Sequence, residues 1–107
     1  MSKWYVYIMA SKLDGILYIG YTNYLDSRVL EHKHKVNPKS FSARYNCDKL
    51  VYFEELEDES LASTRERQMK KRKREWKINL IKEMNPSWVD LSLNWNLDIG
   101  KSKLFRK

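Results

Sequence analysis

Five polar residues stand out for what their types and spacing can do. Ten residues separate Tyr7 from Tyr18, Arg28 follows ten residues after Tyr18, and His32 lies one helical turn further on. Four apart on a helix, Arg28 and His32 project from one face. Glu66 stands four residues after Ala62 and three before Met69, on the stripe of a later helix that should pack on a sheet. A carboxylate placed there needs a partner, either a metal ion or an arginine, because an unpaired buried acid is costly. Arg28 brings a permanently charged fork suited to an anionic oxygen, and Glu66 is a hard-oxygen ligand of the kind Mg²⁺ prefers. The phenols can orient a water, and His32 can relay a proton near neutral pH. A free phenol has a pKa near 10, so a tyrosine acting as base requires a neighbouring cation.

The elements that must position these groups are legible. Residues 4–10 are β-branched or aromatic almost throughout, as in a strand buried on both faces. Asp14-Gly15 closes a turn and residues 16–21 form a second strand, giving a hairpin. A four-residue loop over 11–14 would set Ala10 against Gly15 and Tyr7 directly opposite Tyr18, on one face of the sheet. Asn23 reads as the N-cap of a helix over 24–35 with Leu25 and Val29 inward, ended by Asn37-Pro38. Residues 38–48 read as an irregular polar loop, and 50–56 as a third strand. Asp58 or a neighbour caps a helix over 61–73, and a last helix over 75–84 carries Trp76, Leu80 and Met84 on one stripe. The order β-β-α-β-α-α predicts an α+β domain on a small three-stranded antiparallel sheet flanked by helices. Residues 1–92 form the expected domain, and 93–107 a C-terminal extension, flexible and basic at its end.

Composition narrows the partners. A chain of 107 residues has room for one domain, and 42% hydrophobic residues suffice to close a core. Lysine and arginine exceed the acids by seven, and a domain this basic is biased toward polyanions, nucleic acid first. Cys47 has no partner for an internal disulfide, which fits a reducing, cytoplasmic setting. The start of the chain carries no signal-peptide pattern, and no apolar run approaches the roughly 20 residues needed to span a bilayer, so no membrane partner is expected. Glu31-His32-Lys33-His34 is not a zinc site, because residues two apart on a helix point about 200° from each other.

Tyr5-Val6-Tyr7, Tyr18-Ile19-Gly20, Arg28, His32 and Glu66, in this order, resemble the GIY-YIG nuclease family. The first tripeptide departs from Gly-Ile-Tyr but keeps its tyrosine. The segment from Arg65 to Lys71, then Trp76-Lys77, Leu80-Ile81 and Asn85-Pro86-Ser87-Trp88 with Asp90-Leu91, resembles the small single-domain URI-type branch. The resemblance covers roughly residues 3–92. It implies a DNA endonuclease with a one-metal mechanism, Mg²⁺ or Mn²⁺ as cofactor, and duplex or branched DNA as partner, as in repair or recombination. It further implies that Tyr7, Tyr18, Arg28, His32 and Glu66 are catalytic, with Glu66 on the metal. Which tyrosine is the base stays open. Family members often carry an asparagine after the glutamate; Asn79 lies near such a position, and Lys77 matches the URI-type pattern better.

Each feature also has a plainer reading. Strand tyrosines are usually core, an Arg/His pair is usually a salt-bridge face, and Glu66 taken alone is a partner for Arg28. Lys70, Lys71, Arg72, Lys73 and Arg74 are either a solvated helix end or a sequence-indifferent track for DNA phosphates. Two rivals to the enzyme stand: a catalytically silent nucleic-acid-binding module of the same fold, and a protein-interaction domain using the Trp76, Trp88 and Trp95 region.

Overall fold

The computed structural model describes residues 3–93 and residue 95; the basic end at 101–107 and most of the expected extension lie outside the described residues. Three strands, β1 (Trp4–Ala10), β2 (Leu17–Thr22) and β3 (Lys49–Leu56), form an antiparallel sheet of order β2-β1-β3. As the central strand, β1 buries Val6 to Ala10 completely, which is why its sequence is apolar on both faces. Four helices follow the hairpin: α1 (Leu25–Lys33), α2 (Phe41–Arg44) before β3, then α3 (Glu59–Lys71) and α4 (Arg74–Met84). The fold is the expected α+β class, with one short helix more than the sequence suggested.

Alternation along β1 divides the core in two. Val6, Ile8 and Ala10 face α3 and α4, packing with Ile19, Val51, Ala62, Met69 and Ile81. Tyr7 and Met9 face the other way, against Leu25 and Val29 of α1, with Leu50 and Cys47. On α4 the buried residue is Ile81, whereas Met84, expected on the apolar stripe, is 45% exposed. The helix rotates so that Ile81 meets the sheet.

Several local expectations are corrected. The hairpin loop runs over 11–16, so Ala10 pairs Leu17, Tyr7 pairs Gly20 and Tyr18 pairs Met9. Ser11 and Ile16 close that loop in both directions: the Ser11 amide donates to the Ile16 carbonyl and the Ile16 amide to Ser11 Oγ. A slip of two residues keeps every side chain on its face, so both tyrosines still share one surface. Asn23 is not the cap of α1; Tyr24 occupies that position, without a side-chain cap. The helix stops at Lys33, short of the expected residue 35. Residues 38–48 are not wholly irregular, because Ser40 accepts from the Ala43 amide and nucleates α2. Asp58 caps α3 by accepting from the Leu61 amide, as expected.

Beyond α4 the chain returns to the sheet. The buried Asn85 side chain donates to the Val51 and Val89 carbonyls and accepts from the Val89 amide. Asp90 accepts from the Leu50 and Ser92 amides and the Ser92 hydroxyl, and is ion-paired with Lys33 of α1. The three tryptophans do not make one contact surface. Trp88 is buried in the core, Trp76 lies beneath the Arg65 and Arg72 guanidiniums, and Trp95 packs edge-on against Phe53.

Candidate active site

The structure brings together four of the five sequence-predicted residues. Tyr7 from β1, Tyr18 from β2 and His32 from α1 form a triangle of rings, with centroids 5.0 to 6.2 Å apart. The Tyr7 hydroxyl and His32 Nε2 are hydrogen-bonded at 2.9 Å, and His32 Nδ1 lies 2.7 Å from the Ser42 hydroxyl. Ser42 is buried and sits on α2, in the segment read as an irregular loop. Sequence reasoning missed it, because nothing local marks a serine whose partner lies ten residues back. With the proton on Nδ1 donating to Ser42, Nε2 is left to accept the Tyr7 O–H.

Burial sets the electrostatics here. It lowers the His32 pKa to about 4, and the Arg28 charge adds to the effect, so the imidazole is neutral at pH 7. Burial also raises the Tyr7 phenol, with Tyr18 adding to the rise and Arg28 opposing it. Tyr7 is wholly enclosed. Tyr18, Arg28 and His32 line a cleft of about 210 Å³, together with Ser40 and Ser42. The Arg28 guanidinium bonds Glu31 at 3.0 Å and is 43% exposed, leaving it open to an incoming anion.

Glu66 is not in this cluster. Its helix packs on the opposite face of the sheet, and its carboxylate pairs with Lys70 at 2.7 Å, not with Arg28. The reason is reach: four residues away on the same helix, Lys70 is the nearest cation. The two sides meet at the β2 edge. Tyr18 also lines a second cleft with Leu17, Ile19, Phe41, Lys70 and Lys77, so the partner of Glu66 stands beside the far side of Tyr18. Lys77 belongs to this cleft, whereas Asn79 lines a different one with Arg72, Lys73 and Trp76.

The basic run is divided by its surroundings. Lys70 holds Glu66, Arg72 covers Trp76, and Arg74 donates to the Asp14 and Gly15 carbonyls of the hairpin loop. Lys71 and Lys73 are exposed and make no ion pair among the described residues.

A model of the GIY-YIG catalytic domain matches residues 3–79. The chain belongs to the GIY-YIG family. Among curated relatives, a UPF0213 protein of Clostridium perfringens is 42% identical over 77 residues, covering 72% of this chain and 81% of the relative. A UPF0213 protein of Syntrophus aciditrophicus is 39% identical over 90 residues, covering 80% and 97%. Another from Staphylococcus saprophyticus is 36% identical over 83 residues, covering 78% and 99%. No solved structure gives a significant match. The GIY-YIG family is a nuclease family, generally dependent on a divalent metal and acting on DNA. Among the described residues, no helix is long and apolar enough to cross a membrane.

Within the GIY-YIG motif, the structure explains why the second tripeptide ends in glycine. A Cβ at Gly20 would fall 2.6 Å from the Tyr7 hydroxyl and 3.1 Å from the Tyr18 ring. Tyr7 is fully buried, so a side chain at 20 would force the phenol away from His32 against the surrounding core. Gly20→Ala is therefore expected to destabilise the fold by about 2 kcal/mol through overpacking. It should also lower any cleavage rate at least tenfold, as read by paired melting and turnover measurements. An unchanged melting temperature would show that Tyr7 yields freely.

The residues fit a divalent ion of modest demands. Among the described residues no group of three or more His, Cys, Asp or Glu converges, which speaks against a dedicated protein cage. Mg²⁺ is commonly held by one or two carboxylates, with waters and substrate phosphates completing the shell. Glu66 suits that role, since its ion-pair partner among the described residues, Lys70, is half exposed and displaceable.

Proposed function

We propose that this protein is a metal-dependent DNA endonuclease hydrolysing phosphodiester bonds, with Tyr7, Tyr18, Arg28, His32 and Glu66 as its working residues. The observation that carries the reading is the Tyr7–His32 hydrogen bond, set directly behind a cleft lined by Arg28 and Tyr18. Arg28 clamps a phosphate oxygen and offsets the negative charge that builds on the phosphorane. Tyr18, at the cleft surface, orients the attacking water. Tyr18 is also the group at the cleft surface placed to take the proton that water loses, while the Tyr7–His32–Ser42 hydrogen bonds hold the wall behind it. Tyr7 is enclosed and burial raises its phenol, so its hydrogen bond positions His32, and Tyr18, which lines the cleft, is the tyrosine placed to meet the water. Glu66, whose partner Lys70 stands beside Tyr18 at the β2 edge, would hold Mg²⁺ or Mn²⁺, an ion that would supply positive charge to the phosphate and leaving oxygens. The exposed cations of the 70–74 run, Lys71 and Lys73 foremost, add sequence-indifferent affinity.

A panel of labelled duplex, branched and single-stranded DNAs, incubated with Mg²⁺, Mn²⁺ or EDTA, tests this. Products are expected with either metal and none with EDTA. The separation of Glu66 from the other four residues favours one rival, a silent DNA-binding module. Salt-sensitive binding with no products on any substrate would establish that rival instead.

A further inference from the structure

We propose that the cleft formed by Leu17, Tyr18, Ile19, Phe41, Lys70 and Lys77 binds the nucleotide adjoining the phosphate held at Arg28. Its own phosphate would lie on Lys77 and Lys70, and its sugar and base edge against Phe41 and Leu17. This rests on the nucleic-acid reading above and adds a path for the strand, which crosses the β2 edge over Tyr18.

Position is the first support. β2 is an edge strand, and Tyr18 lines both clefts, so a chain seated at Arg28 enters the second cleft on passing over that ring. The cleft, at about 310 Å³, is within the usual size range of ligand sites.

Its chemistry is the second. Both charged residues in the lining are cationic, and the remainder is apolar or aromatic. Lys77 is half-buried, its ammonium donates to the Lys70 carbonyl at 3.4 Å, and it meets no carboxylate among the described residues. Burial, helped by the Arg74 charge, lowers its pKa. A partly desolvated cation without a counter-ion gains from the arrival of an anion. Lys70 is half exposed and is released whenever Glu66 takes another partner.

The third is an exposed aromatic pair at the rim. Phe41 of α2 lines the cleft, and the Tyr45 ring lies 4.8 Å from it at a 45° tilt; the two remain 48% and 41% exposed, with the Arg44 guanidinium over Tyr45. Such a platform suits the apolar face of a sugar or base. The other basic cleft, by contrast, includes Glu75 beside Lys71, Arg72 and Lys73.

Fluorescence anisotropy with a labelled duplex and a labelled branched DNA, in EDTA and across a salt series, tests the assignment on the full chain. Lys77→Met is expected to weaken binding at least fivefold and reduce the slope of log affinity against log salt by about 0.9, one phosphate contact. Lys77→Arg should restore both. Phe41→Ala should weaken binding with the slope unchanged. Lys71→Met removes the same charge outside the cleft and should have a smaller effect. If Lys77→Met melts early, Lys77→Gln replaces it. Equal effects at Lys77 and Lys71, or an unchanged slope in Lys77→Met, would overturn the proposal. A parent that never cleaves but keeps the Lys77 effect sinks the endonuclease reading alone. A parent that cleaves while Lys77→Met binds normally sinks only this one.

Discussion

Glu66→Gln is expected to cut metal-dependent cleavage by about a thousandfold while leaving the fold and DNA binding nearly unchanged. Roughly 4 kcal/mol of transition-state stabilisation corresponds to that factor, a loss in keeping with removal of a metal's carboxylate. Stability should barely move, because the partner that loses its ion pair is Lys70, whose side chain is 53% exposed and returns to water. The Glu66 side chain is itself only 17% exposed, but glutamine keeps its volume and its capacity to hydrogen-bond, so no void or unpaired charge is left in its place. Binding should hold or tighten slightly, since one negative charge is removed from the β2 edge. Single-turnover cleavage, a melting curve and an anisotropy titration read the three effects separately. Had Glu66 paired with Arg28, its loss would have stranded a cation near the core, and a large drop in stability would follow. The observed pairing removes that expectation. A variant that cleaves at the parent rate would take Glu66 out of the site, and one that melts far below the parent would make it structural.

Asp90→Ala should be the most destabilising single substitution among the polar residues, by about 3 kcal/mol, through loss of charge-assisted bonds and stranding of their donors. Its side chain is 9% exposed and gathers the Leu50 amide, the Ser92 amide and hydroxyl, and the Lys33 ammonium. These bonds tie the segment after α4 to the first residues of β3 and to α1. For a domain of this length the expected fall in Tm is on the order of 12 °C or more. The acid response carries a sign that can be worked out. Burial pushes the Asp90 carboxyl up, but hydrogen bonds from Lys33 and Ser92 and the Lys33 charge outweigh it, so its pKa lies below the ordinary value. Its stabilisation is therefore complete above the unfolded carboxyl pKa near 3.9 and is lost as pH falls through the lower native value. His32 acts in a higher window: neutral in the fold down to about 4, it draws stability away as pH falls from about 6.5. Melting followed from pH 7 to 3 should thus show two stages. The lower one should vanish in Asp90→Asn, and the upper one in a His32→Gln variant. Persistence of the upper stage without His32 would assign it elsewhere.

How much of this was legible beforehand depends on the range of the interactions involved. The strands, the Asp58 cap and the inward faces of α1 and α3 follow from local patterns, since periodicity and capping act within a few residues. Strict alternation along β2 kept Tyr7 and Tyr18 on one face even though the hairpin register was two residues off. The i, i+4 spacing of Arg28 and His32 likewise carried both into one cleft. What tertiary structure alone decided involves partners far apart in the chain. Ser42 meets His32 only because α2 folds back on α1, and Gly20 matters only because the Tyr7 phenol lies across it. Asp90 becomes a fastener only when the chain returns to β3. Glu66 is the sharpest case. Its helical stripe indicated that it needed a partner, but a repeat of 3.6 residues says nothing about which side of a sheet the helix will cover. Packing of Ala62 and Met69 settled that side, and with it the choice of Lys70 over Arg28.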